Sequence, residues 1–274
     1  MQQLEPNLPY TELVQHLNLK DDDCVLIASD ITKLALQARK NGQQFSVDAF
    51  ISAFQQQLIH GTLLIPAFTD NLKDGGTFDH KKSKPTTGAL SNKISRNKQF
   101  KRTLDPIHSF YVWGKHQEFL VNLNLKSTFG PSSAFDFLHQ QKAKMIFIDV
   151  DLQHSFTFVH HVEQCLNVPY RKDYKLNINY VDQAGQANPF NILFHTKKWG
   201  VYTDLSQLQA HLIANGSLKQ LNFGEVNFRY IELDQAFVEV TQWLAAGKKL
   251  HGFSIKLYIK QLVKRLLGYK NPIG

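Results

Sequence analysis

Short apolar runs alternate with amphipathic segments along the first 70 residues of the chain. Residues 24–28 (Cys-Val-Leu-Ile-Ala) are apolar throughout, which predicts a strand buried on both faces, and residues 62–68 are predicted to form the next strand. Between them, a large apolar side chain recurs at every fourth position, which predicts a helix over residues 46–60. A strand, a crossover helix and a second strand indicate an α/β fold with parallel pairs.

The same two patterns predict most of the remaining elements. Helices are expected in the segments at residues 10–19, 134–141, 204–215 and 232–246. Residues 144–150 are predicted to be a further buried strand, and residues 173–202 to be a smaller β-rich insertion. The predicted fold class is therefore α/β, with a mixed, largely parallel central sheet flanked by helices.

A long polar segment interrupts this alternation. Residues 70–100 are rich in Lys, Thr, Gly and Ser and have few apolar anchors. They are predicted to be a long mobile loop that contains a short helix near residues 87–94. A loop of this length inside a compact domain usually carries function, so we expect it to border the active site.

The chain is predicted to consist of a single α/β domain over residues 1–250 and a basic amphipathic tail over residues 251–274. In residues 253–267, apolar positions recur at helical spacing and basic side chains occupy positions between them. Two interpretations stay open. The segment is either a C-terminal helix docked on the core or a peripheral contact with a membrane surface.

Composition narrows the class of protein. The chain has 274 residues, of which 43% are hydrophobic and 20% charged, as is typical of a globular protein. Its two cysteines, Cys24 and Cys165, lie in unrelated segments, so we expect no disulfide framework. The N-terminus lacks a secretory pattern and no apolar stretch is long enough to span a membrane, which predicts a cytoplasmic location.

The charge balance is basic, with a formal net charge of +8 and a pI of about 9.3. Such a balance attracts polyanions, which include nucleic acid, anionic membranes and coenzyme A. No zinc-knuckle spacing, homeodomain-like helix or aromatic-basic ribonucleoprotein motif occurs in the sequence. Nucleic acid is therefore not expected as a partner.

The most specific chemical signal is the segment at residues 157–163. In a helix, Thr157, His160 and Glu163 would share one stripe. Imidazole titrates near neutral pH, so His160 is predicted to be a general base and Glu163 the carboxylate that orients it. Glu163 as a solvated surface residue and Thr157 as a helix N-cap stay open as alternatives. No metal is expected, because His160 and His161 face different ways and no H-E-x-x-H spacing exists.

Five segments resemble, in the same order, the signature segments of the aminoglycoside 3-N-acetyltransferase family. They are residues 25–30, 61–69, 102–110, 130–133 and the T-x-x-H-x-x-E pattern at 157–163. Three positions depart from the family pattern. Ala28 and Asp30 replace a histidine and a serine in the first segment, and Asp105 replaces a histidine in the third.

The resemblance implies an acetyl-CoA-dependent N-acetyltransferase that acts by direct transfer, with His160 taking a proton from the amine and Glu163 holding the imidazole. Acetyl-CoA is the implied donor substrate. The side chains predicted to contact this donor are Ser29, Thr69, Arg102 and Ser109. Those predicted to contact the acceptor are Asp70, Asp105 and Thr157. Asp105 as a turn residue before Pro106 and Arg102 as an ordinary surface charge stay open.

The departures bear on the acceptor more than on the donor. The net charge and the few acidic residues of segment 70–100 disfavour a polycationic substrate. In its Ser29-Asp30 variant and its basic tail, the chain resembles family members that act on amino sugars or related amines, for instance in surface-polysaccharide synthesis. The main prediction implied by this resemblance is an amino-sugar acceptor, and nucleotide-linked amino sugars are among the candidates. Two alternatives remain. One is a true aminoglycoside 3-N-acetyltransferase that confers antibiotic resistance, and the other is a non-catalytic relative that binds a ligand or a membrane surface.

Overall fold

A computed structural model describes residues 2–267, which form one large sheet, two smaller sheets and the helices packed on them. The strands of the described residues are β1 (Gln2–Leu4), β2 (Cys24–Ser29), β3 (Thr62–Pro66), β4 (Thr77–Asp79), β5 (Lys101–Arg102), β6 (Phe110–Gly114), β7 (Lys144–Ile148), β8 (Arg171–Val181), β9 (Ala187–Lys197), β10 (Val201–Thr203), β11 (Lys219–Phe223), β12 (Val226–Glu232) and β13 (His251–Phe253). The helices are α1 (Thr32–Lys40), α2 (Val47–Gln57), α3 (Ala89–Ile94), α4 (Gln117–Val121), α5 (Ala134–Gln140), α6 (Leu152–Ser155), α7 (Val159–Cys165), α8 (Ser206–Ala214), α9 (Leu233–Ala245) and α10 (Ile255–Leu266).

The large sheet has eight strands in the order β1-β11-β12-β7-β2-β3-β6-β5. Strand β2 runs parallel to both of its neighbours, and Leu26 at its middle lies opposite Met145 and Leu64. Antiparallel strands flank this parallel centre, with β12 on β7 and β6 on β3. The predicted α/β fold with a mixed sheet is confirmed, and its parallel pairs are β7-β2, β2-β3 and β1-β11.

The central strands are buried on both faces, as the apolar run in β2 predicts. Side chains alternate across a strand, so Leu26 and Ala28 belong to one hydrophobic core and Val25 and Ile27 to the other. Helix α2 covers the second core with Phe50, Ile51 and Phe54 and begins at Ser46, whose Oγ accepts a hydrogen bond from the Ala49 amide at 3.3 Å. Strands β2, β3 and β7 run parallel to one another, so their carboxyl ends lie at the same edge of the sheet.

The predicted β-rich insertion is confirmed as a hairpin of two long strands, β8 and β9. At its turn, the Asp182 carboxylate accepts hydrogen bonds from the amides of Ala184 and Gln186. Strand β4 adds to β8 in parallel, and β10 pairs separately with β13. The hairpin brings Arg171, the first residue of β8, up against α7.

Segment 70–100 is more structured than its composition predicts. It contains β4 and α3, and Phe78, Leu90 and Ile94 within it are fully buried. The short helix predicted near residues 87–94 is confirmed as α3, whereas β4 and the buried apolar side chains were not predicted. These few apolar side chains are enough to hold the segment on the domain, because each one packs into a hydrophobic core on one face of the large sheet.

The ends of the chain also differ from the prediction in detail. Instead of a helix over residues 10–19, the structure has one short 3-10 helix at Leu13–His16. Helix α10 lies within the predicted basic tail, and residues 268–274 of that tail lie outside the described residues. Across residues 2–267, no helix is long and apolar enough to cross a membrane.

Candidate active site

Helix α7 presents His160 and Glu163 on one face, as their spacing predicts. Their side chains meet, with His160 Nδ1 at 2.7 Å from Glu163 Oε2. Thr157 does not share the helix, because α7 begins after Phe158 and the Thr157 carbonyl accepts the His160 amide at 3.0 Å. The predicted three-residue stripe is therefore wrong for Thr157, and Thr157 is not the N-cap of the helix.

Glu163 is held by protein donors on both carboxylate oxygens. It is 1% exposed, so a solvated surface role does not apply. The Tyr170 hydroxyl donates to Oε1 at 2.8 Å, and Arg171 Nε lies 2.6 Å from Oε2. A buried carboxylate with this many partners is oriented, and it fixes the imidazole in turn.

Arg171 is the residue that the sequence does not reveal. It lies at the start of β8, outside the α7 motif, and only the fold brings it to the site. Its Nη2 lies 2.7 Å from His160 Nδ1 and 3.3 Å from Nε2, and its Nη1 donates to the His195 carbonyl at 2.9 Å. A carboxylate only accepts, so Nδ1 carries the proton toward Glu163 and Nε2 is the basic nitrogen, which Arg171 Nη2 approaches at 3.3 Å. Arg171 therefore acts on the ring as a positive charge.

The electrostatics keep His160 neutral at physiological pH. Burial, followed by the charge of Arg171, lowers the pKa of His160 to about 4, and Glu163 offsets this only in part. Burial raises the pKa of Glu163, but the hydrogen bond from His160 and the charge of Arg171 outweigh it, so the net pKa lies below its usual value. A neutral imidazole beside an ionised carboxylate is the arrangement that a general base needs.

His160 opens into a pocket of about 390 Å³ between α6, the start of α7, the end of β9 and the end of β10. Thr157, Lys197, Tyr202 and Thr203 line it together with His160, and no aspartate or glutamate is among its lining residues. Lys197 thus lies partly buried in the same pocket as His160, and burial, followed by the charge of Arg171, lowers its pKa. The pocket therefore does not carry the carboxylates that a polycation would need.

Ser29 lies at the carboxyl end of β2 and is partly exposed. Gly88 comes close to it with a φ of +93°, and a Cβ at Gly88 would lie 3.9 Å from the Ser29 carbonyl oxygen. Asp30 accepts the Thr32 amide at 2.9 Å, so the first turn of α1 already has a carboxylate partner. Lys33 nearby pairs with Asp149 at 3.0 Å and stays half exposed.

Three of the predicted donor contacts meet in the interior instead. Arg102 donates to Ser109 Oγ at 2.9 Å, to Thr69 Oγ1 at 3.2 Å and to the Ala67 carbonyl at 2.7 Å. It also donates to the Ser83 carbonyl, and its guanidinium stacks on the Phe78 ring. The Arg102 guanidinium thus anchors segment 70–100 to the sheet. It is neither an exposed surface charge nor an open site for an anion.

The predicted acceptor contacts Asp105 and Asp70 lie apart from the His160 pocket. Asp105 is buried and accepts the amides of Ile107 and His108 at 2.8 and 2.9 Å, which is the turn role before Pro106. Asp70 is exposed, and Thr86 Oγ1 donates to its Oδ2 at 3.0 Å. Among the predicted acceptor residues, Thr157 lines the pocket with His160.

The Arg102 assignment is testable with a conservative change. Arg102→Lys keeps the charge but loses the planar fork that reaches three or more acceptors, so the free energy of unfolding is expected to fall by about 1–3 kcal/mol. Segment 70–100 should become more sensitive to limited proteolysis, with KM for acetyl-CoA unchanged. A KM for acetyl-CoA raised tenfold or more, without loss of stability, would support a phosphate contact instead.

A sequence model of the aminoglycoside 3-N-acetyltransferase family matches residues 34–245, most of the chain. The chain belongs to this family. This match confirms the predicted family and the predicted enzyme class, which is an N-acetyltransferase. This family assignment supports an enzyme rather than the non-catalytic alternative.

Solved structures with the same fold include several family enzymes at low sequence identity. AAC-IIIb, solved as a binary complex with CoASH, has a TM-score of 0.70 at 17% identity, over 90% of this chain and 98% of that one. The YokD protein from Bacillus subtilis has a TM-score of 0.69 at 18% identity, over 87% and 98%. The apoenzyme of the aminoglycoside acetyltransferase AAC(3)-IVa has a TM-score of 0.68 at 19% identity, over 90% of each chain. No curated protein matches the sequence.

Proposed function

We propose that this acetyltransferase moves an acetyl group from acetyl-CoA to a primary amine of an amino sugar, with His160 as the general base. The observation that carries the proposal is the hydrogen bond between His160 Nδ1 and the buried Glu163 carboxylate, which leaves Nε2 as the basic nitrogen of a ring that lines the pocket. The donor follows from the family and from the neighbour that was solved with CoASH. Acetyl-CoA supplies an activated thioester when it is bound.

The residues at the carboxyl end of β2 fit such a donor. Ser29 is partly exposed there, and Lys33, which pairs with Asp149, provides a half-exposed cation at the same sheet edge. We propose that Ser29 and Lys33 hold acetyl-CoA. Asp30 is turned to the α1 amide, and its pKa is lowered by the Thr32 hydrogen bonds, so it stays ionised and disfavours a direct phosphate contact.

His160 performs the proton transfer in this proposal. Nε2 takes the proton of the amine as its nitrogen attacks the thioester carbonyl; the C–S bond then breaks and coenzyme A leaves as the thiolate. The imidazolium that forms faces the Glu163 carboxylate through Nδ1–H and can return its proton to the thiolate. Tyr170 and Arg171 keep that carboxylate from rotating away. His160 is neutral before the reaction because burial and Arg171 lower its pKa, so the imidazole itself needs no prior deprotonation at neutral pH.

The comparisons favour an aminoglycoside as the acceptor, which is the alternative of the sequence analysis rather than its main prediction. Two similar structures contain sisomicin and a gentamicin as ligands of those proteins. One observation favours a second candidate, an amino sugar that also carries an anionic group. The pocket beside His160 is lined by Lys197 and by no carboxylate, which suits an anionic acceptor better than a polycation.

A thiol-release assay with acetyl-CoA separates the two acceptors. Sisomicin, gentamicin and apramycin form one panel, and neutral and nucleotide-linked amino sugars form the other. Turnover with the first panel alone would leave the aminoglycoside as the acceptor. Turnover with none of these amines, despite binding of acetyl-CoA, would overturn the proposed amino-sugar acceptor.

Lys197→Gln tests the charge argument directly. For an anionic acceptor we expect KM to rise about tenfold, which corresponds to about 1.4 kcal/mol. For an aminoglycoside the same change should leave KM unchanged or lower it, because it removes a like charge. Lys198→Gln is the matched control, since Lys198 is the exposed neighbour and does not line the pocket.

A further inference from the structure

Helix α10 carries its apolar side chains outward. Ile255 is 69% exposed, Leu266 is 78% exposed, and no residue of the helix is buried. The other exposed apolar side chains of this segment are Phe253, Tyr258, Ile259, Val263 and Leu267. An ordinary surface helix of a globular protein buries such a stripe against its core, so the outward stripe needs a partner.

The contacts of α10 with the domain lie on its other side. Gln261 Oε1 accepts the Gly200 amide at 2.7 Å, and Gln261 lies about 200° around the helix from Ile259. The Arg265 guanidinium lies over the Trp199 ring, 5.1 Å from its centroid, and the Tyr258 ring meets the same ring edge-on with centroids 6.1 Å apart. The helix is thus held by a polar contact and its flanks, and the apolar stripe points away from the domain.

Basic side chains border the stripe. Lys256, Lys260 and Lys264 recur at every fourth position and form one row beside it, and all three are exposed. The sequence from residue 240 to 267 contains no aspartate or glutamate, and its cations are Lys248, Lys249, Lys256, Lys260, Lys264 and Arg265. An unbalanced cationic row next to an exposed apolar stripe is complementary to an anionic, apolar surface.

We propose that α10 binds a membrane surface that contains anionic lipids, lying in the plane of the interface with its apolar stripe among the acyl chains. A second copy of this chain is a poorer occupant, because a symmetric contact through the stripe would bring two lysine rows together. A lipid bilayer satisfies both features at once, since its headgroups carry the negative charge and its interior accepts Ile255, Ile259 and Leu266.

The contact would place the His160 pocket near the bilayer. Strand β13 leads directly into α10 and pairs with β10, so His251 lies opposite Thr203, a residue that lines the pocket. His251 also stacks on the Tyr170 ring, with ring centroids 3.7 Å apart. Membrane binding through α10 does not depend on which acceptor the enzyme uses.

The test is co-sedimentation of the full-length protein with vesicles. We expect binding to vesicles of phosphatidylcholine with about 30% phosphatidylglycerol, at least about tenfold weaker binding to phosphatidylcholine alone, and loss of binding as salt rises. Exchanging Lys256, Lys260 and Lys264 for glutamine should weaken binding about hundredfold, on the basis of about fivefold for each lysine near an anionic surface. The same exchange at Lys81, Lys82 and Lys84 is the charge-matched control and should have a much smaller effect.

The apolar part is tested separately. Ile259→Glu with Leu266→Glu should abolish vesicle binding without unfolding the protein, because both side chains are exposed. Ile59→Glu is the control: Ile59 is an exposed side chain just after α2, and its replacement should leave vesicle binding unchanged. Equal binding of the Ile259/Leu266 variant and the wild type would overturn the proposal. So would a dimer in the absence of lipid that dissociates in that variant, since a second copy would then cover the stripe.

Discussion

Replacing His160 by alanine is expected to lower kcat by about 10²–10⁴-fold, because the acceptor amine would lose the group that takes its proton. Binding of acetyl-CoA, measured by calorimetric titration, should stay close to that of the wild type, since Ser29 lies outside the His160 pocket. Turnover is measured by thiol release at saturating amine. His60→Ala is the matched control, because His60 is an exposed histidine at the turn before β3.

The pH dependence of kcat/KM follows from the same proton transfer. Only the neutral imidazole accepts a proton, and burial and Arg171 lower the pKa of His160 to about 4. The limb of the kcat/KM profile that belongs to His160 is therefore expected in the acid range, with activity lost as pH falls toward about 4 and retained above it. Near wild-type turnover of the His160→Ala enzyme would remove His160 from the reaction.

Replacing Arg171 by methionine is expected to cost about 3–5 kcal/mol in the free energy of unfolding, because the Glu163 carboxylate would stay buried without its cation. The pair is deeply buried, with side-chain exposures of 4% for Arg171 and 1% for Glu163. Urea denaturation followed by circular dichroism measures the loss. Lys93→Met, which breaks the exposed Lys93–Asp48 pair, is the control and should move the midpoint little.

A double variant separates the ion pair from the packing. Glu163→Gln with Arg171→Met leaves no unpaired buried charge, so it should be less destabilised than the sum of the two single variants. Where the Arg171→Met enzyme remains folded, the acid limb of kcat/KM should move to higher pH, because a charge that lowers the His160 pKa is gone. An unchanged urea midpoint would mean that Arg171 does not hold Glu163.

The contact between His160 and Glu163 could be predicted because it is local. His160 and Glu163 are three residues apart, so one helical turn brings them together whatever the rest of the fold does. The predicted donor contacts Arg102, Thr69 and Ser109 fared differently. The structure does bring them together, but they contact one another, because the guanidinium is covered by Phe78 and by segment 70–100.

The pattern of the chain alone determines the α/β class and the buried centre of the sheet, since an apolar run such as that of β2 needs apolar neighbours on both faces. It also determines the His160–Glu163 pair. The tertiary structure decides the charge that acts on this pair and the direction in which α10 points its apolar stripe. Arg171 reaches His160 only through the β8–β9 hairpin, and the stripe of α10 is turned outward by the contacts of Gln261 and Trp199. Both depend on contacts between segments distant in sequence, which no local periodicity records.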